Sequence, residues 1–137
     1  MLIDNIIISV LTIKDYKKSL DLAKCLYDSG IVNLDIRLRT QQSKKAIELI
    51  KNSKFKFNIG IGTVLSLEDL YFVKSLGIKY AYSPNTDVKI LNNANKLDIQ
   101  FIPGISNIDN VISAVKCNCK YLKYYTAKKP GGVSTLD

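Results

Sequence analysis

The sequence has no histidine, only three cysteines, and no apolar run of about 18 residues. We therefore expect no membrane-spanning helix, and residues 6–11 are too short an apolar stretch for a signal peptide. The expected lack of a membrane-spanning helix and of a signal peptide predicts a cytoplasmic protein that does not bind a membrane. Without histidine, Cys117 and Cys119 make a poor metal site, so buried free thiols are expected instead.

Positive charge is in excess: the sequence has 20 Lys and Arg and 12 Asp and Glu, which gives a net charge of +8. An excess of this kind raises the question of nucleic-acid binding. The lysines are scattered through predicted helices, however, and no basic stripe interleaves with aromatic residues. We therefore predict no nucleic-acid partner, and expect the positive field to favour an anionic small molecule.

Short β-branched runs alternate with amphipathic helical patterns along the whole chain. The predicted helix ends carry recognisable signals: Gly30 after the first helix, a Ser66 cap with Asp69 three residues later, and Asn107 before the fifth helix. The stripe Leu20, Ala23, Leu26, Tyr27 predicts the buried face of helix one. Strands are predicted at 5–11, 31–38, 56–61, 79–82, 99–102 and 119–125, and helices at 15–29, 41–52, 66–76, 86–96 and 107–116.

Strands separated by helices predict parallel βαβ units in one α/β domain spanning residues 1–137. The repeat of about 21 residues is typical of a (β/α)8 TIM barrel, which needs eight strands and about 200 residues or more. Six strands fit here. Two interpretations remain: a six-stranded open sheet, or an incomplete barrel with its last two strands missing.

The second strand carries three charged residues, Asp35, Arg37 and Arg39, in alternation with apolar ones. Parallel strands are normally covered on both faces and apolar throughout. One interpretation is the solvated face of an edge strand. The other is a barrel interior where Asp35 and the arginines face a polar substrate, with Arg39 at the strand end suited to bind a carboxylate.

Lys123 lies in the last predicted strand, where alternation places Tyr121 and Tyr125 on the same face. An ammonium between aromatic rings loses hydration, which frees the amine to attack a carbonyl. The alternative is an ordinary lysine whose ammonium reaches water.

Turn-forming residues follow three other strands and are all expected on one rim. Glycines 60 and 62 leave space on one face beside the Thr63 hydroxyl, but Leu65 replaces the third glycine of a dinucleotide fingerprint. Segments 83–85 (SPN) and 103–106 (PGIS) follow strands four and five and are expected to form βα turns.

Taken together, these segments resemble the KHG/KDPG aldolases, class I Schiff-base lyases on a (β/α)8 barrel. The resemblance runs from about residue 8 to the end, in family order and spacing. The motifs are 34–40 (LDIRLRT), 60–65 (GIGTVL), 81–84 (AYSP), 102–106 (IPGIS), 122–127 (LKYYTA) and 131–133 (GGV).

The resemblance implies a role for five residues: Lys123 forms the imine, Asp35 is the general acid/base, Arg39 and Thr63 bind the pyruvate carboxylate, and Pro84 touches the substrate. It also implies cleavage of 2-keto-3-deoxy-6-phosphogluconate or 4-hydroxy-2-oxoglutarate to pyruvate and an aldehyde, glyceraldehyde 3-phosphate or glyoxylate. No metal or organic cofactor is implied, and the assembly is a homo-oligomer, usually a trimer.

The sequence departs from the family pattern at several positions. Asp35 stands in place of Glu, Arg37 in place of a small polar residue, Thr126 in place of proline and Lys128 in place of an acidic residue. The last two strands, whose loops commonly hold phosphate in such barrels, are expected to be missing. An inactive remnant of an aldolase, lacking the phosphate-binding part, is therefore the alternative to an active enzyme.

Overall fold

The computed structural model describes residues 7–125. The predicted features at Thr126, Lys128 and residues 131–133 lie outside this range. The chain divides into two compact units, Met1–Thr63 and Val64–Asp137, which are described separately below. The prediction of one domain over residues 1–137 stays a prediction.

The predicted alternation of strands and helices is confirmed, and the described pairings are parallel. The strands are β1 Ser9–Leu11, β2 Asn33–Arg37, β3 Asn58–Gly62, β4 Tyr80–Tyr82, β5 Gln100–Ile102, β6 Gly104–Ile105 and β7 Lys123–Tyr124. The helices are α1 Ser19–Asp28, α2 Ser43–Lys51, α3 Leu67–Ser75, α4 Val88–Lys96 and α5 Ile108–Lys116, with a short 3-10 helix at Tyr16–Lys18.

In the first unit, β2 lies between β1 and β3 and pairs in parallel with both. Leu34 and Ile36 are fully buried, and Asp35 between them is only 2% exposed. The interpretation of β2 as a solvated edge strand is therefore wrong, because the strand is central in this unit and its carboxylate is out of solvent. Arg37 is half-buried and Arg39 is exposed, so exposure rises toward the strand's C-terminal end.

Helix α1 buries only part of the predicted stripe, because Ala23 is fully buried and Leu26 half-buried but Leu20 and Tyr27 are exposed. Ser19 and Ala23 are fully buried, whereas Leu20 and Tyr27 are 40% and 39% exposed. The Tyr27 ring lies against Phe55 and Phe57, with ring centroids 5.4 and 5.6 Å away. Tyr27 thus belongs to a small surface cluster of aromatic rings rather than to the main core.

In the second unit, β4 pairs with β5, and β6 pairs with β7. Residues 119–125 were predicted as one strand, but only Lys123 and Tyr124 are extended and paired. The segment 103–106 was predicted as a turn, yet Gly104 and Ile105 form β6 and pair with Lys123 and Tyr124. The shortness of this ladder explains both errors, since two paired residues leave no periodic signal.

The predicted helix ends are confirmed in detail. The Ser66 hydroxyl accepts from the Asp69 amide while the Asp69 carboxylate accepts from the Ser66 amide, a reciprocal capping box. Asn107 caps α5, and Gly30 and Gly77 follow α1 and α3 at positive φ of 80° and 66°. These signals explain why the helix positions follow from the sequence.

Cysteine burial was only partly predicted correctly. Of the two thiols predicted to be buried, Cys117 is buried and Cys119 is half-buried; Cys25, for which no burial was predicted, is exposed. Among residues 7–125 the longest helix has ten residues, and none has the length and apolar content needed to cross a membrane.

Candidate functional site

In the first unit, the Asp35 side chain lies against Gly62 of the neighbouring strand β3. A side chain at Gly62 would overlap the Oδ1 atom of Asp35, and its Cβ would lie 3.0 Å from the Asp35 Cγ and 3.2 Å from the Arg37 Cγ. The absence of a side chain at Gly62 therefore gives the carboxylate its place. Glycines 60 and 62 were predicted to leave space on one face of the strand, and the Asp35 side chain takes up the space beside Gly62.

Arg39 and Thr63 come together at the C-terminal ends of β2 and β3. The Arg39 Nε donates to the Thr63 Oγ1 over 3.2 Å. Thr63 has a φ of +59°, in the left-handed region that a β-branched residue rarely adopts. Strain of this kind concentrates at functional sites, where it aims a side chain that another conformation would direct elsewhere. Here it aims a hydroxyl at a guanidinium.

Lys123 lies in the second unit, on the two-residue strand β7. Its amide donates to the Pro103 carbonyl over 2.9 Å, and the Tyr125 amide donates to the Ile105 carbonyl over 3.1 Å. The side chain is half-buried. Its Nζ lies 5.3 Å from the centroid of the Tyr125 ring and 5.9 Å from that of Tyr82, both within cation–π range.

Pro84 follows β4 and packs against the strand that pairs with Lys123. A Cβ at Gly104 would overlap the carbonyl group of Pro84 and lie 2.9 Å from the Ser83 oxygen. The Thr86 hydroxyl donates to the Gly104 carbonyl over 2.8 Å, a second contact between Gly104 and the segment that follows β4. The Pro84 backbone therefore contacts Gly104, the residue that pairs with Lys123.

Cys119 is a titratable group in the second unit whose pKa is raised. Half-burial, with a smaller contribution from Cys117, raises the pKa of the Cys119 thiol to about 11. Cys119 lines a polar cavity of about 240 Å³ together with residues such as Asp98, Gln100 and Lys120. None of the five predicted site residues lines this cavity.

The predicted site residues therefore form two groups, one in each compact unit. Asp35, Arg39 and Thr63 belong to the first unit, and Pro84 and Lys123 to the second. Tyr125 was predicted as an aromatic neighbour of Lys123. Tyr82 was missed, although it lies in the noted segment 81–84, because a single short strand gives no sign of which distant residue its side chain meets.

These observations define a class: an α/β chain of parallel βα units that carries a half-buried lysine between aromatic rings, a buried carboxylate, and a guanidinium beside a hydroxyl. The "KDPG and KHG aldolase" family model matches residues 1–137. The chain belongs to this aldolase family, as its motifs predicted.

Two curated relatives show the extent of the similarity. The 2-dehydro-3-deoxy-phosphogluconate aldolase of Pseudoalteromonas atlantica is 34% identical over 130 residues, covering 95% of this chain and 60% of the relative. The KHG/KDPG aldolase of Escherichia coli K12 is 30% identical over 131 residues, covering 96% and 62%. The chain thus spans about three fifths of the length of these relatives.

Solved structures agree with the sequence comparison. The KDPG aldolase of Legionella pneumophila, crystallised with pyruvate captured as a covalent carbinolamine intermediate, matches with a TM-score of 0.89 and 31% identity, covering 94% of this chain and 63% of that one. The Zymomonas mobilis ZM4 enzyme, crystallised with 3-phosphoglycerate, matches at 0.88 and 26%, covering 94% and 61%. The fold is therefore of the (β/α) barrel type, and the chain corresponds to part of such a barrel.

Proposed function

We propose that this chain carries the imine-forming part of a class I aldolase, with Lys123 as the nucleophile. The observation that carries the proposal is the half-buried Lys123 ammonium within 5.3 and 5.9 Å of two aromatic ring centroids. A lysine amine is a recognised nucleophile that forms Schiff bases with carbonyl substrates. The family membership and the carbinolamine captured in the Legionella relative support the same chemistry.

The reaction begins when the neutral Lys123 amine adds to the keto carbon of a 2-keto acid. Loss of water from the carbinolamine gives a protonated imine, which draws electrons from the substrate. A base removes the proton of the C4 hydroxyl, the C3–C4 bond breaks, and its electron pair enters the imine to give an enamine. The aldehyde leaves, the enamine takes a proton at C3, and water releases pyruvate and restores the amine.

Asp35 is the carboxylate proposed to move these protons, through a water molecule because its side chain is short. Asp35 is only 2% exposed, so its carboxylate is sheltered from bulk solvent. Gly62 leaves it room, as described above.

Arg39 and Thr63 are proposed to bind the substrate carboxylate. A guanidinium offers a rigid fork of donors to a carboxylate, and the strained backbone of Thr63 keeps its hydroxyl beside that fork. Pro84, packed on Gly104, is proposed to contact the substrate at the rim. The chemistry needs no metal ion and no organic cofactor.

The proposed substrates are 2-keto-3-deoxy-6-phosphogluconate and 4-hydroxy-2-oxoglutarate, with pyruvate as common product. The names of the relatives support this substrate class. A homo-oligomer, a trimer as the resemblance implies, and a cytoplasmic location complete the proposal. An inactive remnant of an aldolase is the competing interpretation, and no observation favours it.

Borohydride trapping tests the proposal directly. The purified protein is incubated with pyruvate and reduced, and the adduct is located by mass spectrometry of peptides. We expect the mass of a reduced pyruvate imine on Lys123, and we expect Lys123→Ala to abolish it. Lys120→Ala, which removes an exposed lysine three residues away, is the matched control and should leave the adduct unchanged.

Two results would contradict the proposal. Labelling distributed over several lysines would mean that Lys123 is not specially reactive. The absence of any adduct in a sample whose folding is verified by circular dichroism would favour the inactive remnant.

A further inference from the structure

Tyr82 is the aromatic residue near Lys123 that the predicted chemistry leaves without a role. It ends β4, is 4% exposed, and its ring centroid lies 5.9 Å from the Lys123 Nζ. Tyr125, two residues after Lys123, has its ring centroid 5.3 Å from the same atom. The ammonium therefore meets one ring from its own segment and one from another strand.

The backbone ties Tyr82 to Lys123 through a short series of hydrogen bonds. Tyr82 is in register with Ile102 in the β4–β5 pair, and the next residue, Pro103, accepts from the Lys123 amide over 2.9 Å. On its other side, the Tyr82 carbonyl accepts from the Val64 amide over 3.0 Å. Tyr82 therefore belongs to a strand with hydrogen bonds on both sides, whereas Lys123 belongs to a strand of only two residues.

A nucleophilic lysine at such a place needs help to stay in position. Its stem has four rotatable bonds, so the amine can occupy many positions, and few of them allow attack on a bound carbonyl. An aromatic face attracts the positive nitrogen both in the ammonium and in the protonated imine that replaces it. A ring carried by the better-held strand would therefore hold the nitrogen as the resting ammonium and again as the protonated imine, on either side of the step in which the neutral amine adds.

We infer that Tyr82 is a positioning residue for Lys123: its ring holds the nitrogen where it meets the substrate carbonyl. The inference rests on the proposed function. The ring is the operative part and the hydroxyl is not, so Tyr82→Phe should retain the effect and Tyr82→Leu should lose it. Tyr80→Leu is the matched control, because it removes a tyrosine two residues earlier on the same strand.

The first measurement is the rate of borohydride-trapped adduct against pyruvate concentration. We expect Tyr82→Leu to lower the maximal rate about tenfold, with the half-saturating pyruvate concentration nearly unchanged. Tyr82→Phe and Tyr80→Leu should behave like the parent protein. A variant that is merely misfolded would lose pyruvate binding and maximal rate together. If Tyr82→Leu does not fold, Tyr82→Met keeps much of the volume without a ring.

The second measurement does not depend on catalysis. The Cε protons of Lys123, assigned by their loss in Lys123→Arg, should be shifted upfield by ring currents in NMR spectra, and the shift should shrink in Tyr82→Leu but persist in Tyr82→Phe. An unchanged maximal rate in Tyr82→Leu overturns the inference, as does an unchanged shift. A parent protein that forms no adduct overturns the proposed function instead, and the ring-current shift then decides alone whether Tyr82 holds the amine.

Discussion

Two glycines stand beside the predicted site residues, one in each compact unit, and they make room for different groups. Gly62 leaves space for the side chain of Asp35. Gly104, on the strand paired with Lys123, leaves space for the backbone carbonyl of Pro84. A side chain can rotate away from an intruding methyl group, whereas a carbonyl held in a loop next to a strand cannot do so without moving the chain. The carboxylate site is therefore the more adjustable of the two.

Gly104→Ala should have the largest effect on stability. The new Cβ would overlap the Pro84 carbonyl, so the pairing of β6 with β7 must shift, at a cost of about 3 kcal/mol. Urea denaturation gives the loss of stability. Hydrogen exchange gives its location: the amides of Lys123 and Tyr125, which bond to Pro103 and Ile105, should exchange much faster.

Gly77→Ala is the control for this change within the same unit. Its Cβ would meet nothing within 4 Å, so its cost, about 1 kcal/mol, comes from the φ of +66° alone. Should Gly104→Ala cost no more than Gly77→Ala, backbone contact at Pro84 would not constrain the lysine strand.

Gly62→Ala should destabilise the protein less than Gly104→Ala does, and a second substitution, Asp35→Ala, should remove most of that loss. Overlap with the Asp35 carboxylate and the nearby Arg37 stem should cost about 1–2 kcal/mol. In an Asp35→Ala background the carboxylate is gone, so the same change should cost much less. A double-mutant cycle of urea-denaturation free energies measures this coupling. Simple additivity of the two changes would show that Gly62 does not make room for Asp35.

The sequence predicts the elements well where the physical signal is local. Asn107 and the pair Ser66 and Asp69 mark helix starts because capping is a contact between residues three apart in the chain. Alternation along residues 33–39 likewise identifies Asp35, Arg37 and Arg39 as unusual charges between apolar residues. Such features need no knowledge of tertiary structure.

The sequence fails where two distant segments decide the outcome. The β6–β7 ladder has only two residues on each side, so neither strand has a period to detect. Tyr82 becomes a neighbour of Lys123 only because β4, β5 and residue 103 bring them together, and Thr63 reveals its strained backbone only in three dimensions. Contacts of this kind are set by register across strands, which no local pattern records.

The two units also differ in their thiols, and this gives the smallest expected effect. Cys25 in the first unit is exposed, whereas half-burial and Cys117 raise the pKa of Cys119 in the second to about 11. Because the thiolate is the nucleophile, Cys119 should react with iodoacetamide about tenfold more slowly than Cys25 near pH 9. The difference should narrow as the pH approaches 11, which mass spectrometry of tryptic peptides can follow. A purely steric barrier would instead give a rate ratio independent of pH. The raised pKa also makes the stability of the protein depend on pH. The protonated Cys119 thiol contributes its full share to the free energy of unfolding below pH 9.0, the ordinary thiol pKa, and this contribution is lost as the pH rises through about 11.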